Sequence, residues 1–555
     1  MMKGLPRHLG QHSGGMIICQ KRLSSFIPLE NASMPGRVVA QWDKDDCDDL
    51  GIIKVDLLGL GMMSVLQETI ALSDQRGRKV ELYEVPANDP PTYEMIRAAD
   101  TIGLFQIESR AQMATLPRLK PECFYDLVVE VAIVRPGPIQ GGLMHPYLKR
   151  RCGQEEHVYL HKDVEAVLKP TLERTLGVPL FQEQMLKMSM DLAGFDGSEA
   201  EELRRALSFH RSHDRMNAAC AKLRIRMEEK GHSQEVTDLV VKSIQSFAVY
   251  GFPESHAISF ALLAYASAWY KVHRAPEFYA SLLNNQPMGF YSSATLIKDG
   301  QRRGLHFLPV SVCESEWNCT IIDDTTVRLG LCVVNGLRKE HGAHLLLERM
   351  RAPFTSVADF NLRTKLTKPE QRTLAKIGAL HGLSAHRRDA LWQVELPLDG
   401  EGLFTRQAAP PPAAPLAPMN AWERLEADQS GMNLSIGKHP MRLLREQVPH
   451  AWRAADLAQA ANGTYLQIAG QVICRQRPGT AKGFVFISLE DETGVANAIV
   501  VPQLFERCRL LITSESFLVI EGPLQNYGNV IHIKAQRILP LSAPELTLAE
   551  SHDFR

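Results

Sequence analysis

Gly51–Gly61 reads GIIKVDLLGLG, a short apolar run with one carboxylate, Asp56, placed where the run passes into a helical pattern. Ile52, Lys54 and Asp56 alternate with Ile53, Val55 and Leu57, and alternate residues of a strand share a face. The spacing predicts a strand with one oily face and with Lys54 and Asp56 on the other, near the strand's end. A carboxylate held there by rigid backbone suits metal-assisted phosphoryl transfer. An Asp that only caps the following helix, with Gly59 and Gly61 in the turn, fits the same residues. The surrounding chain has to separate the two readings.

Upstream, His12-Ser13-Gly14-Gly15 is followed by Met16, Ile17 and Ile18, a glycine turn entering a buried strand. No segment before it would complete a sheet, so we expect this strand to belong to a larger domain. Asp43–Asp49 (DKDDCDD) lacks strand character and reads as a solvated loop or helix start. Downstream, Leu60, Met63, Val65, Leu66, Ile70 and Leu72 repeat with helical spacing up to Gly77.

Amphipathic helices then dominate to about Pro276. Within them lie Phe105-Gln106-Ile107-Glu108-Ser109, the turn Arg135-Pro136-Gly137-Pro138, and the helix start Phe181-Gln182-Glu183-Gln184. Ser198 and Glu201 fit a capping box. In one continuous helix from there, Arg204, Ser208, Arg211 and Arg215 fall on one stripe, a surface suited to bidentate phosphate contact or to solvent. Tyr250–His256 (YGFPESH) is a glycine turn leading into a buried helix, with His256 a cap or a phosphate contact. Arg328–Met350 reads as a helix, a Val334-Asn335-Gly336-Leu337 turn and a second helix. Such a hairpin can point backbone amides at a phosphate, with Arg338 and Lys339 beside them. Leu374–Leu383 repeats the pattern.

Gln407–Met419 (QAAPPPAAPLAPM) is a Pro/Ala linker. Beyond it the period changes from helical to alternating. Strands are expected at 465–475, 484–490, 496–501, 517–522 and 530–538, with a helix at 503–511. That is the order of an OB-fold. The loop Arg475–Lys482 is basic, and Phe484, Phe486 and Tyr527 are either stacking aromatics or barrel core.

The bulk composition narrows the class. The 555 residues suffice for several domains, and 45% hydrophobic with 23% charged residues is ordinary for a globular protein. A net charge of −1 means that any nucleic-acid surface must be local. The ten cysteines form no CxxC pair, which excludes a zinc ribbon and a thioredoxin motif. No apolar run spans a bilayer and no signal sequence is visible, so a cytoplasmic protein is expected.

Taken together and in order, HSGGMII (12–18), GIIKVDLLGLG (51–61), TIGLFQIESR (101–110), VRPGPIQ (134–140), FQEQ (181–184), ELRRA (202–206) and YGFPESHA (250–257) resemble the bacterial C-family DNA polymerases, the alpha subunit of DNA polymerase III. RQRPGTAKGFVFISLEDETG and the terminal SHDFR resemble the error-prone, damage-tolerance branch of that family. The resemblance implies a multidomain α+β chain: a partial polymerase palm (1–75), mostly helical fingers (76–290), a helix-hairpin-helix duplex-binding region (291–400), the linker (401–420), a short helical connector (421–460), a C-terminal OB-fold β-barrel (461–542) and a tail (543–555).

It further implies template-directed addition of a dNTP to a primer 3′-OH during damage-induced synthesis, with two Mg²⁺ ions. Asp56 would be the third palm carboxylate and a metal ligand, with Lys54 near the primer or phosphates. The first two carboxylates of the family lie in a Pro-Asp-x-Asp stretch that this sequence does not contain. Arg135, Gln182, Arg204, Arg205, Arg211 and His256 would contact the triphosphate. Replicative members carry Gly-Lys-Lys where this chain has Ser208-Phe209-His210, which implies a weaker grip. Gly336, Arg338 and Lys339 would hold duplex backbone, and Arg475, Arg477, Lys482 and Phe484 the template strand. An accessory Y-family-like protein would link the chain to the sliding clamp. With one carboxylate, the chain alone is expected to have little or no polymerase activity. The alternatives are a noncatalytic DNA-binding fragment and one half of a split polymerase.

Overall fold

Alternating strands and amphipathic helices do form where the pattern changes, but the chain crosses three times between two compact units. One comprises residues 1–64 and 141–260, the other residues 65–140 and 261–555. The computed structural model describes residues 15–32, 37–42, 44–134, 144–208, 213–248, 252–396, 415–477, 481–527, 530–543 and 552–554. The block expected as fingers, 76–290, is divided between both units. Of the Pro/Ala linker, residues 407–414 lie outside the described residues.

In the first unit, four three-residue strands make two antiparallel pairs. They are β1 (Gly15–Ile17), β2 (Leu29–Asn31), β3 (Val38–Ala40) and β4 (Lys54–Asp56), with β1 on β4 and β2 on β3. Gly15 stands opposite Asp56 and Ile17 opposite Lys54. The acidic run forms the helix Lys44–Asp49. The oily face expected here is not buried: Ile53 is 68% and Met16 55% exposed. A pair three residues long has too little surface to enclose one face.

Helices Glu165–Leu172, Gln182–Ala193, Gly197–Ser208, His213–Glu229 and Gln234–Ala248 build a core of Leu168, Met188, Leu192, Leu203, Leu223 and Val240. Gly194, at φ +67°, ends the second of these helices in the left-handed region where glycine is at ease. The expected continuous arginine stripe is broken, because one helix stops at Ser208 and the next starts at His213. The capping box also sits two residues earlier than expected. Asp196 accepts from Glu199 N–H at 2.8 Å and Glu199 accepts from Asp196 N–H at 3.1 Å, which releases Glu201.

The second unit is organised on a buried ionic cluster. Lys271 Nζ lies 2.8 Å from Asp299, donates to the Ile102 carbonyl at 2.8 Å, and Tyr279 donates to the same Asp299. Strands β5 (His306–Leu308), β6 (Thr320–Ile321) and β7 (Thr326–Arg328) form a sheet in the order β5-β7-β6. This sheet leads to helix Lys339–Arg351 through a single 3-10 turn, Leu331–Val333. The first helix expected in Arg328–Met350 is therefore a strand end and one tight turn. Two helices joined by a short glycine loop appear at Lys368–Ile377 and Arg387–Glu395, with Gly378 at φ +84°. Gly342 is required where the helix meets Trp317, whose ring lies 2.4 Å from the place of a Cβ.

The C-terminal barrel consists of β8 (Tyr465–Gln476), β9 (Val485–Glu490), β10 (Val495–Val500), β11 (Phe517–Tyr527), β12 (Val530–Lys534) and β13 (Arg537–Pro540), with helix Pro502–Ser514 between β10 and β11. Antiparallel pairs β8–β9, β9–β10, β11–β12 and β11–β8, plus the parallel pair β10–β12, close the ring. Inside are Leu466, Ile468, Val485, Ile487, Leu489, Leu518 and Ile520. The expected tail contributes β14 (His552–Phe554), parallel to Cys474–Gln476 of β8. Arg302 joins the barrel to the helices through Glu490 at 2.9 Å.

Candidate functional site

Asp56 and Lys54 end β4 as the alternation required. Lys54 is exposed, and its ammonium has no partner among the described residues. The Asp56 side chain lies outside what is described, as do Arg135, Arg211 and the side chain of Arg205. Among the described residues no group of three or more His, Cys, Asp or Glu is arranged to hold a metal ion.

The other nucleotide-site candidates of the first unit converge. Phe181 and Phe252 form a parallel bridge, and Gln182 N–H donates to the Phe252 carbonyl at 3.0 Å. Glu254 N–H, at the start of the next helix, donates to Glu183 at 3.0 Å. The FQEQ helix start and the Phe252–His256 turn are thus latched together, which sets Gln182 and His256 on adjoining elements. His256 packs between Phe252 and Phe260, with ring centroids 5.0 and 4.1 Å away. Arg204 is engaged by Glu201 at 2.8 and 2.6 Å, and this hydrogen bond is the leading reason its pKa is raised, with Glu183 adding to the effect. The contacts among described residues do not join this cluster to Lys54.

Sequence reading missed Gln184 and Glu183. Gln184 is buried; it accepts from Leu180 and Phe181 N–H and donates to Thr175 and the Thr171 carbonyl. It is a frame for the turn. The available signal was the capping spacing of Gln184 behind Phe181.

Glu108 of the TIGLFQIESR stretch is likewise a frame, in the second unit. It accepts from Gly103 N–H at 2.9 Å and Phe290 N–H at 3.0 Å. Burial pushes its carboxyl up to about 7 against those two bonds.

In the hairpin region, Gly336 has φ +77° with open space around its Cα, and Arg338 and Lys339 are exposed. The helix N-terminus is partly used already: Arg338 N–H donates to Glu370 at 3.1 Å. Glu370 also takes His341 Nδ1 at 2.8 Å and Thr367 N–H at 2.7 Å. Burial alone would raise its pKa, but the bonds from Thr367, His341 and Arg338 outweigh it and hold it at about 2. An internal carboxylate thus occupies an amide that we expected to face a phosphate.

On the barrel, β9 places Val485, Ile487 and Leu489 inside and Phe486 and Ser488 on the opposite face, so Phe486 is not core. Phe484 is 36% and Tyr527 61% exposed. Lys482 is exposed, and Arg477 lies over the Phe505 ring at 4.5 Å, beside Glu506. Arg475 departs from expectation. Its Nε donates to the Ile512 carbonyl and its Nη2 to the Glu515 carbonyl, both at 2.6 Å. It thereby satisfies carbonyls that the end of helix Pro502–Ser514 leaves open.

Comparison with known proteins agrees with this architecture. Residues 1–59 match the bacterial DNA polymerase III alpha NTPase domain and 62–231 the finger domain of the same subunit. Residues 304–390 match a helix-hairpin-helix motif and 466–541 an OB-fold nucleic acid binding domain. The chain is 45% identical over 551 residues to the error-prone DNA polymerase of Bordetella bronchiseptica, covering 98% of this chain and 52% of that protein. It is 44% identical over 579 residues to that of Aromatoleum aromaticum, covering 100% and 54%. The chain spans about half the length of the curated relatives it matches.

Proposed function

Because the chain belongs to the bacterial C-family DNA polymerases, on their error-prone branch, we propose that it grips primer–template DNA and a dNTP for template-directed extension of a primer 3′-OH during damage-induced synthesis. The observation that carries this reading is the closed barrel that turns Phe484, Phe486 and Tyr527 away from its core, which is the stacking surface that single strands need. Arg477, Lys482 and Phe484 hold the template strand in this reading, and Arg338 and Lys339 the duplex backbone. Gln182, Arg204 and His256, latched through Glu183 and the Phe252 bridge, hold the triphosphate with Arg135, Arg205 and Arg211. An accessory Y-family-like protein supplies the link to the clamp.

Divalent metal supplies charge neutralisation in such a reaction when bound. The described residues do not by themselves fit a complete two-Mg²⁺ site, since they contain no three-ligand cluster. Asp56 then serves as one ligand, held at a strand end, of a site that needs further carboxylates. Accordingly, the 555-residue chain binds primer–template with an affinity that falls linearly on log–log axes with salt. It incorporates no dNTP alone. Salt-independent binding would sink the DNA-gripping reading, and robust extension would sink the incomplete-site reading.

One observation favours a second reading, half of a polymerase assembled from two polypeptides. Met16, Ile53, Leu60 and Met63, on and near β1 and β4, are each more than half exposed, and a second polypeptide seated on them would remove that apolar surface from water. Under it, extension appears when a polypeptide bearing a Pro-Asp-x-Asp segment is mixed with this chain.

A further inference from the structure

A cleft of about 250 Å³ opens between the barrel and helix Arg110–Leu119, within the second unit. Ser488, Asn497 and Ile531 line it from the barrel, and Arg110, Met113 and Tyr291 from the other side. Among the described residues lining it, Arg110 alone is charged.

Arg110 differs from the other arginines around the barrel. Arg302 meets Glu490, Arg303 meets Asp100, and Arg445 meets Asp491 and Glu492. The Arg110 guanidinium makes no hydrogen bond or ion pair with any described residue. Burial lowers its pKa to about 10, which leaves it charged at neutral pH. Its field reaches the barrel wall: His532 on β12 is pushed down first by burial and then by Arg110. A partly buried cation with no counter-ion carries a desolvation cost, and an anion seated beside it offsets that cost.

The barrel face says which anion. In the β9–β10 register Phe486 stands opposite Ile499 and Ser488 opposite Asn497. With the alternate residues of β9 committed to the core, Phe484, Phe486 and Ser488 follow one another along the outer face toward the cleft. Ser488 donates to Asn497 Oδ1 at 3.1 Å, which leaves the Asn497 amide hydrogens as further donors beside the cleft. An aromatic platform that leads to a lone guanidinium alternates base stacking with phosphate contact, as a single strand does.

We propose that this cleft seats one phosphodiester of single-stranded DNA, held by Arg110 against the barrel while neighbouring bases stack on Phe484. The inference rests on the DNA-gripping reading above and adds to it a residue and a path.

The test uses the full 555-residue chain and a fluorescein-labelled primer–template with a 5′ overhang, followed by anisotropy across a salt series. Arg110→Ala is expected to weaken binding about tenfold and to reduce the log–log salt slope by about 0.7, the share of one single-strand phosphate. Arg110→Lys should keep the slope. With the unmodified chain, a single neutral methylphosphonate stepped along the overhang should weaken binding at one position, and Arg110→Ala should abolish that sensitivity. The stepped scan needs no variant, so it decides the matter even if Arg110→Ala does not fold. A flat scan, or folded Arg110→Ala with unchanged affinity and slope, overturns the proposal and leaves the DNA-gripping reading standing. No binding of primer–template at all overturns both.

Discussion

Two strands in this molecule carry the same kind of pattern, apolar residues alternating with residues proposed to meet metal or DNA, and they end differently. Val485–Glu490 lies in a closed ring, so alternation sorts its side chains into a core and a working face. Lys54–Asp56 lies in a two-stranded pair, and its neighbour Ile53 stays in solvent. Alternation states which residues share a face; only closure or a covering layer makes one of the faces an interior. The barrel is closed within its own segment, whereas the strand that carries Asp56 draws little support from the described residues around it.

The sharpest way to break this comparison is to truncate one apolar residue in each place. Ile487 is fully buried, and Ile487→Ala is expected to cost about 2–5 kcal/mol. Ile53→Ala removes a side chain already in water and should change stability by no more than about 0.5 kcal/mol. Urea melts of the two variants check this. A large loss for Ile53→Ala would show that β4 is covered after all.

Glu370 extends the contrast to a helical framework that is closed by charge. Glu370→Gln is expected to cost about 2 kcal/mol at neutral pH, since it weakens bonds from Arg338, His341 and Thr367 to a charged acceptor. The sign in pH follows from a folded pKa of about 2 against 4.5 for the ordinary group. The carboxylate's contribution is full above about pH 4.5, shrinks as pH falls, and is gone near pH 2. Melts of both proteins between pH 7 and pH 2 should therefore converge. Parallel curves would mean that Glu370 holds the hairpin by shape and not by charge.

Much of this was legible in residues whose partners are near in sequence. The barrel strands followed from period two and the helix Pro502–Ser514 from the break in it. What could not be read depends on distant partners or on a choice between equal local options. Ser198 with Glu201 and Asp196 with Glu199 both have the spacing of a capping box, and only packing selects the second. Glu370 reaches Arg338 from 32 residues away. The interleaving of the two units left no local mark at all. Of the site, Lys54 and Asp56 stand at a strand end as the alternation indicated, while the bridge from FQEQ to the Phe252 turn and the cluster at Glu183 required the three-dimensional arrangement.

The working face of the barrel has its own test. Phe484→Ala should leave the melt within about 0.5 kcal/mol of the parent, because the ring is outside the core. Affinity for oligo(dT) should fall about tenfold, a loss of one stacked base. A loss of stability without a loss of affinity would turn Phe484 into a packing residue and remove the distinction between the barrel's two faces.

The smallest expected effect separates two arginines at the end of β8. Arg475 and Arg477 are neighbours on a basic segment, and charge alone would give both to DNA. The barrel assigns them differently: Arg475 is turned onto the Ile512 and Glu515 carbonyls, and Arg477 lies exposed over Phe505. A cation at a helix C-terminus contributes about 0.3–1 kcal/mol, so Arg475→Ala should lower stability by roughly that amount and leave the salt slope of oligonucleotide binding unchanged. Arg477→Ala should do the reverse, reducing the slope by about 0.7 with little change in the melt. Denaturant melts and anisotropy on the two variants decide it. If Arg475→Ala takes the slope and Arg477→Ala the stability, the cap is incidental and the segment is read by charge after all.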